Sequence, residues 1–366
     1  MLKIGQSHCK ILVAPLNWGL GHASRCIPII KILLSHKVEV IVACGKDQKA
    51  MLQAEFPGLM FENLNGYDLK YGKNRSLTLL KIILQIPKIL IQIKRENRWL
   101  NDFLNEEKVN AVISDNRYGL FSPKTTSIFI THQLRIKTVF GKKIESIIQQ
   151  MNYKYINQFS QCWIPDFENE HSIAGDLSHP KKLTAMPMRY IGCLSRFKKI
   201  NTAIINNSLL IILSGPEPQR TILEKLLLNQ LESYTGSAIF ARGLPGENKK
   251  LYVAPNIKVF NHLPATELNK IMCESEFVIC RSGYSSIMDI IKLGKKSIVI
   301  PTPGQSEQEY LADYLFSKKI VYRVNQKDFL LNDALNNAKK FSFVQYENID
   351  DLLVEQAVEE LIASIK

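Results

Sequence analysis

The chain has 366 residues, 46% hydrophobic and 22% charged, with a formal net charge of +13. This excludes a disordered chain and a minimal single domain, and the length fits two domains of about 170 to 190 residues, each with its own core. The positive excess calls for an acidic partner, whether a phosphorylated small molecule, an anionic membrane surface or nucleic acid.

The seven cysteines are odd in number and scattered, and none stands in C-x-x-C spacing. That pattern points to a reducing cytosol and argues against a zinc site. Met1–Lys10 lacks the apolar core of a signal peptide, so a cytoplasmic protein is expected.

Lys10–Ala14 reads as a first strand, followed by Leu16-Asn-Trp-Gly-Leu-Gly-His22 and an apolar-faced helix from Ala23. Strand, glycine-rich loop and helix in this order open a doubly wound unit. The loop is not a dinucleotide fingerprint, because His22 follows G-x-G and no acidic residue ends the second strand, Val38–Cys44. Gly19 and Gly21 let backbone amides face a ligand, and His22 is a candidate base or hydrogen-bond donor.

Lys70–Arg98 carries apolar residues at three- and four-residue steps (Leu79, Ile83, Ile86, Leu90, Ile93) among many Lys and Arg, and the helical pattern breaks near Pro87. It is too interrupted to span a bilayer. Two readings stay open: an ordinary amphipathic helix with a solvated basic face, or a patch that docks on anionic lipid. With no aromatic ladder or nucleic-acid motif, nucleic acid is not expected as a partner.

Val109–Ser114 is a further buried strand ending at Asp115, and Ser127–Thr131 another ending at His132. Asp115 and His132 are second candidates for catalysis, since polar groups at neighbouring parallel strand ends share one crevice. Phe140–Phe159 is helical in pattern and Gln161–Ile164 extended. The first domain is placed at 1–195 and the second at 208–348, with a terminal helix at 349–366 expected to cross back to the first.

The second domain opens with the strand Leu209–Leu213 and the turn Ser214-Gly-Pro-Glu-Pro218. Ser214 and Gly215 can offer a hydroxyl and an amide to phosphate. Ile257–Phe260 leads to Asn261-His262. Phe277–Cys280 is followed by Arg281-Ser-Gly-Tyr-Ser-Ser-Ile-Met-Asp289, a sharp turn into a helix that ends at Gly294. The amides and positive dipole end of that helix suit an anion, with Ser282, Gly283 and Ser285 at the turn and Asp289 placed for sugar hydroxyls. Ser297–Ile300 then leads to a Pro-punctuated loop carrying Gln305, Gln308 and Glu309.

Arg281–Asp289 and the Pro301–Glu309 loop resemble the nucleotide-sugar-binding half of the family 28 glycosyltransferases, and Gly-x-Gly-His resembles their N-terminal glycine loop. The best-known member adds N-acetylglucosamine to the lipid-linked peptidoglycan precursor. The resemblance implies a GT-B fold, α/β, with two doubly wound Rossmann-like domains facing a central cleft. It implies that Arg281 and Gly283 form the diphosphate turn, that Asp289 holds the ribose where Glu is usual, and that Gln308 contacts the donor sugar. Glu309 stands where a second Gln is usual, Ala312 replaces an Asn, and Asn17 and Trp18 replace glycines, which makes a bulkier loop the expectation. The nucleobase is placed near Phe260–Leu263, with His262 among the donor-binding residues.

The function this implies is metal-independent transfer of a sugar from a nucleotide diphosphate, UDP in the first instance, to a hydroxyl of a lipid-linked or cell-envelope acceptor. His22 and Asp115 are the catalytic candidates, and Gly19, Gly21 and His132 line the acceptor or diphosphate loop. No cofactor beyond the nucleotide-sugar co-substrate is expected. The alternatives are a sugar-nucleotide hydrolase or epimerase on the same fold, to which Gly-x-Gly-His-x-x-Arg also points, and a non-catalytic nucleotide-sugar-binding protein. Lys70–Arg98 would place the enzyme on the inner face of the cytoplasmic membrane.

Overall fold

The computed structural model describes residues 9–67, 75–138, 141–182, 184–249, 251–347 and 349–365, without the side chains of 75–83 and 142. Its residues fall into two compact units: Met1–Leu69, Leu84–Arg196 and Asp350–Lys366 form one, and Lys70–Ile83 with Phe197–Ile349 the other.

The first unit runs β1 (Lys10–Pro15), α1 (Gly21–Ser35), β2 (Glu39–Cys44), α2 (Lys46–Glu55), β3 (Met60–Asn63), α3 (Arg75–Glu106, of which this unit holds the part from Leu84 on), β4 (Ala111–Asp115), β5 (Thr126–Ile130), α4 (Lys142–Ile156), β6 (Gln161–Ile164) and β7 (Met188–Tyr190). Its seven strands pair in parallel in the order β3-β2-β1-β4-β5-β6-β7. The central strands are nearly all apolar because helices cover both faces of a parallel sheet. Leu12, Ala14, Ile41, Ala43 and Val112 pack on Leu100 and Phe103 of α3, and Phe129 and Ile164 on Tyr153 and Ile156 of α4. The register sets Pro15 beside Asp115 and Asp115 beside Ile130, so β1, β4 and β5 deliver their loops to one edge.

The second unit runs β8 (Ile205–Ile212), α5 (Gln219–Leu231), β9 (Ser237–Ala241), β10 (Ile257–Phe260), α6 (Ala265–Glu274), β11 (Ser275–Cys280), α7 (Tyr284–Leu293), β12 (Ser297–Val299), α8 (Ser306–Ser317), β13 (Tyr322–Arg323) and α9 (Leu331–Lys340). Six parallel strands lie in the order β10-β9-β8-β11-β12-β13. Phe277 and Ile279, two residues apart in β11, face one core with Leu223 and Leu227 of α5 and Leu335 of α9. The last helix, α10 (Leu352–Ile365), belongs to the first unit and packs against α1.

One local reading changes. The helical pattern does not break at Pro87, which sits inside the single helix α3. Leu84, Ile86, Pro87 and Lys88 are all exposed, so water can reach the carbonyl that a proline leaves unpaired. Of the Lys70–Arg98 segment, Lys70 and Lys73 lie outside the described residues. Sequence pattern alone does not single out α2, β3, α6, α8, β13 or α9, and it leaves Gln308 and Glu309 in a loop where they lie on the first turn of α8. α2 has a low apolar content and three of the four residues of β3 stay largely in water, so neither carries a strong periodic signal.

Candidate active site

The polar edge of the first unit is built around Asp115, the last residue of β4, with no exposed surface. His22, Arg25 and Cys26 stand at i, i+3 and i+4 on the first turns of α1, hence on one helix face. His22 Nδ1 lies 3.1 Å from Asp115 Oδ2. Arg25 Nε donates to Asp115 Oδ1 and Oδ2 at 3.0 and 2.8 Å, and its NH2 group donates to Oδ1 as well. Cys26 Sγ is 3.7 Å from Oδ2. The other terminal nitrogen of Arg25 reaches His132 Nδ1 at 3.3 Å, just past β5.

The electrostatics follow from these contacts. Burial alone would raise the Asp115 carboxyl, but Arg25 and His22 outweigh it and hold the group well below the usual carboxylate range. Asp115 is therefore an anion that can only accept. Burial pushes His22 below its ordinary value of 6.5; Asp115 opposes this in part, and Arg25 adds to it. The imidazole is thus neutral at neutral pH, with Nδ1–H donating to Asp115 and the lone pair on Nε2. Nε2 has no hydrogen-bond partner among the described residues, and the side chain is 15% exposed. A neutral, oriented imidazole backed by a buried carboxylate is the arrangement a general base requires.

The glycine loop is bolted from below. Gln48 Nε2 donates to Leu16 O and to Gly19 O, at 2.5 and 3.2 Å. Asn17 does not crowd the loop's outer surface, as its bulk suggested. Its side chain points inward, accepting from Gly45 N at 3.0 Å and Arg117 at 2.8 Å and donating to Leu64 O at 3.1 Å. Gly45 and Gly66 make that room: a Cβ at either would lie 2.0 Å from Asn17 Nδ2 or 2.4 Å from Asn17 Cβ. Arg117 is fully buried and also donates to Pro15 O and to Glu96, which accepts from Tyr67 Oη as well. Only Trp18, 40% exposed, makes the outer loop bulky. Gly19 has a φ of +72° and no atom where a Cβ would project, and Gly21 is the first residue of α1.

In the second unit the turn after β11 is corrected in part. Arg281 is not presented to a ligand. It is buried, and its guanidinium donates to the carbonyls of Ile300, Pro301 and Gln219 at 2.9–3.2 Å, tying β11, β12 and the start of α5 together. Ser282 is buried too and donates to Gln308 O at 2.8 Å. These two are struts of the turn. Gly283 caps α7 with φ −71° and ψ 139°, and nothing lies within 4 Å of where its Cβ would be. Gly283 gives α7 no side-chain cap and the first turn of the helix has no acid, which makes its positive end suited to an anion. Ser285 and Asp289 are half-buried on the same helix.

Gln308 Oε1 accepts from Thr302 N at 2.9 Å, which orients the amide and leaves Nε2 as the donor side. Glu309 accepts from Gly304 N at 2.9 Å, so its carboxylate braces the proline loop. Ser214 is half-buried; Gly215, with φ +101°, is exposed, as is His262. Arg220 and Arg242 share the buried carboxylate of Glu224, and Arg242 also donates to Asn261 Oδ1 at 2.7 Å.

Residues 228–361 match the glycosyltransferase family 28 C-terminal domain. A UDP-N-acetylglucosamine–N-acetylmuramyl-(pentapeptide) pyrophosphoryl-undecaprenol N-acetylglucosamine transferase of Haemophilus influenzae (strain PittEE) is 22% identical over 350 residues, spanning 91% of this chain and 90% of the relative. The enzyme of the same description from Haemophilus ducreyi is 28% identical over 146 residues, 38% of this chain and 41% of the relative. Among solved structures, the glycotransferase of kitacinnamycin superposes with a TM-score of 0.62 at 14% identity, covering 97% of this chain and 94% of that one. The chain is a glycosyltransferase of the GT-B fold, and its residues 228–361 match the family 28 C-terminal domain.

Proposed function

We propose that the protein transfers a sugar from a UDP-linked donor to a hydroxyl of a lipid-linked acceptor. The observation that carries this reading is the His22–Asp115 pair held by Arg25, which leaves one basic nitrogen at a strand edge otherwise closed by buried polar contacts. The acceptor hydroxyl gives its proton to His22 Nε2, its oxygen bonds to the anomeric carbon, and the bond from that carbon to the diphosphate breaks. The nucleotide leaves with the bonding electron pair. The uncapped start of α7 and the open space at Gly283 suit that diphosphate, Asp289 the ribose, and Gln308 Nε2 a sugar hydroxyl. UDP as carrier and a polyprenyl-linked acceptor follow the Haemophilus relatives, whose names specify both.

A lipid-linked acceptor also requires the enzyme to work at a membrane. Among the described residues no helix is long and apolar enough to cross one. On the first unit, however, α3 exposes Leu84 (69%), Ile86 and Ile91, and α4 exposes Ile144, Ile147 (55%) and Met151. The two helices meet around Tyr118 and Tyr155, and exposed Lys88, Lys94, Lys143 and Lys154 lie along them. Apolar side chains among lysines suit the interface of an anionic bilayer. The test of the function is nucleotide release from a panel of UDP-sugars, with and without a polyprenyl-diphosphate-linked sugar acceptor. Release that requires the acceptor supports transfer. Equal release into water alone would move the assignment to a hydrolase.

A further inference from the structure

We propose that the Arg25–Asp115 ion pair sets opposite tautomers on two histidines of the first unit, leaving His22 with a basic Nε2 and His132 with a protonated Nε2. Arg25 is then a positioning residue for both. A carboxylate cannot donate, so the 3.1 Å contact between Asp115 Oδ2 and His22 Nδ1 requires the proton on His22 Nδ1. A guanidinium cannot accept, so the 3.3 Å contact between Arg25 and His132 Nδ1 requires a lone pair there. A neutral imidazole holds one N–H, and for His132 it must therefore be Nε2–H.

The neighbour of that nitrogen agrees once the amide is oriented. The side-chain amide of Gln133 lies 3.5 Å from His132 Nε2, and an amide's oxygen and nitrogen are assigned from the network around them. With Nδ1 fixed by Arg25, Gln133 presents its oxygen. One buried ion pair thus gives the ends of the two strands that flank β4 opposite hydrogen-bonding polarity: a proton acceptor at His22, after β1, and a proton donor at His132, after β5. An acceptor hydroxyl bound at His22 meets a group that takes its proton, while the one N–H of His132 is engaged by Gln133. Sequence alone leaves both histidines ambiguous, because a ring nitrogen's role is set by partners about a hundred residues away.

This deepens the transfer reading for the same residues, yet its test needs no substrate, so the two can fail separately. The full-length chain is labelled with 15N-histidine, and two-bond proton–nitrogen correlations are recorded near neutral pH. His22→Gln and His132→Gln assign the signals. The expected spectrum has His22 protonated at Nδ1 and His132 at Nε2. Arg25→Lys keeps a cation beside Asp115 but loses the arm to His132, so His22 keeps its pattern while His132 becomes a mixture. Turnover in that variant is expected to fall about 10- to 100-fold with the KM for the nucleotide sugar nearly unchanged. The same tautomer on both rings, an imidazolium at His132, or a His132 pattern indifferent to Arg25→Lys overturns the proposal. Should the variant not fold, the wild-type spectrum decides alone.

Discussion

Gly283→Ala separates a ligand-facing glycine from a structural one. At φ −71° and ψ 139° an alanine fits without backbone strain, and its methyl group would meet no protein atom within 4 Å. Restricting the unfolded chain stabilises by about 0.4–1 kcal/mol. Losing glycine's preference for the N-cap costs about the same, since alanine is the poorer cap by a fraction of the 0.5–2 kcal/mol scale. The two offset, so melting of the unliganded protein should move by no more than about 4 °C. If a diphosphate packs against this turn, the methyl group occupies its space, at about 1–3 kcal/mol for an overpacked contact. UDP affinity measured by calorimetry should then fall about 5- to 150-fold. Unchanged affinity in a folded variant would show that the diphosphate does not approach Gly283, and the role given to the start of α7 would be wrong.

Further outcomes can be checked in the same way. Gly66→Ala forces its Cβ into Asn17 and should destabilise by about 1–3 kcal/mol; the pair Gly66→Ala with Asn17→Gly should recover part of that loss in a double-mutant cycle of chemical unfolding, whereas strict additivity would refute the slot. Because the His22 pKa is lowered on folding, the unfolded chain binds more protons as pH falls below 6.5, so this group contributes a loss of stability toward acid and a gain as pH rises through that window. The acid limb of kcat/KM should accordingly lie below pH 6.5 and vanish, with most of the turnover, in His22→Ala; a limb at or above 6.5 contradicts the buried neutral imidazole. Vesicles rich in anionic lipid should bind the protein less as salt rises, and Ile147→Glu should weaken binding at every salt concentration; equal binding to neutral vesicles would count against the docking face.

Much of the architecture was legible because parallel strands buried on both faces read as short uncharged runs. β1, β4, β5 and β11 stand out this way, and a residue that breaks the pattern stands at the end of each or just past it: Pro15, Asp115, Thr131 and Arg281. Over the described residues from Arg75 to Arg98 the helical periodicity matches α3 except at Pro87, where exposure rather than sequence decides whether a proline breaks a helix. His22 and Asp115 could be nominated from their places at strand ends.

What sequence could not supply was partnership. Arg25 is i+3 from His22, so a shared face was predictable, but its carboxylate partner lies 90 residues away. Arg281 shows the opposite failure, since a basic residue in a strand-end turn reads the same whether it faces phosphate or three backbone carbonyls. Asn17 reads as added bulk in the loop because nothing local reveals that Gly45 and Gly66, both distant in sequence, leave a slot for it.

The most direct test of the central claim is a thermal-shift panel of UDP, dTDP, GDP and their sugar conjugates on the wild-type protein and on Asp289→Ala. A nucleotide at 100 times its dissociation constant stabilises by about 2.7 kcal/mol, which corresponds to about 5–11 °C for a unit of this size. The donor site on the second unit predicts a rise of that order with UDP or a UDP-sugar in the wild type and its loss in Asp289→Ala, each shift taken from that protein's own unliganded melting temperature. No shift with any nucleotide, or an equal shift in the variant, would contradict the donor site described for the second unit.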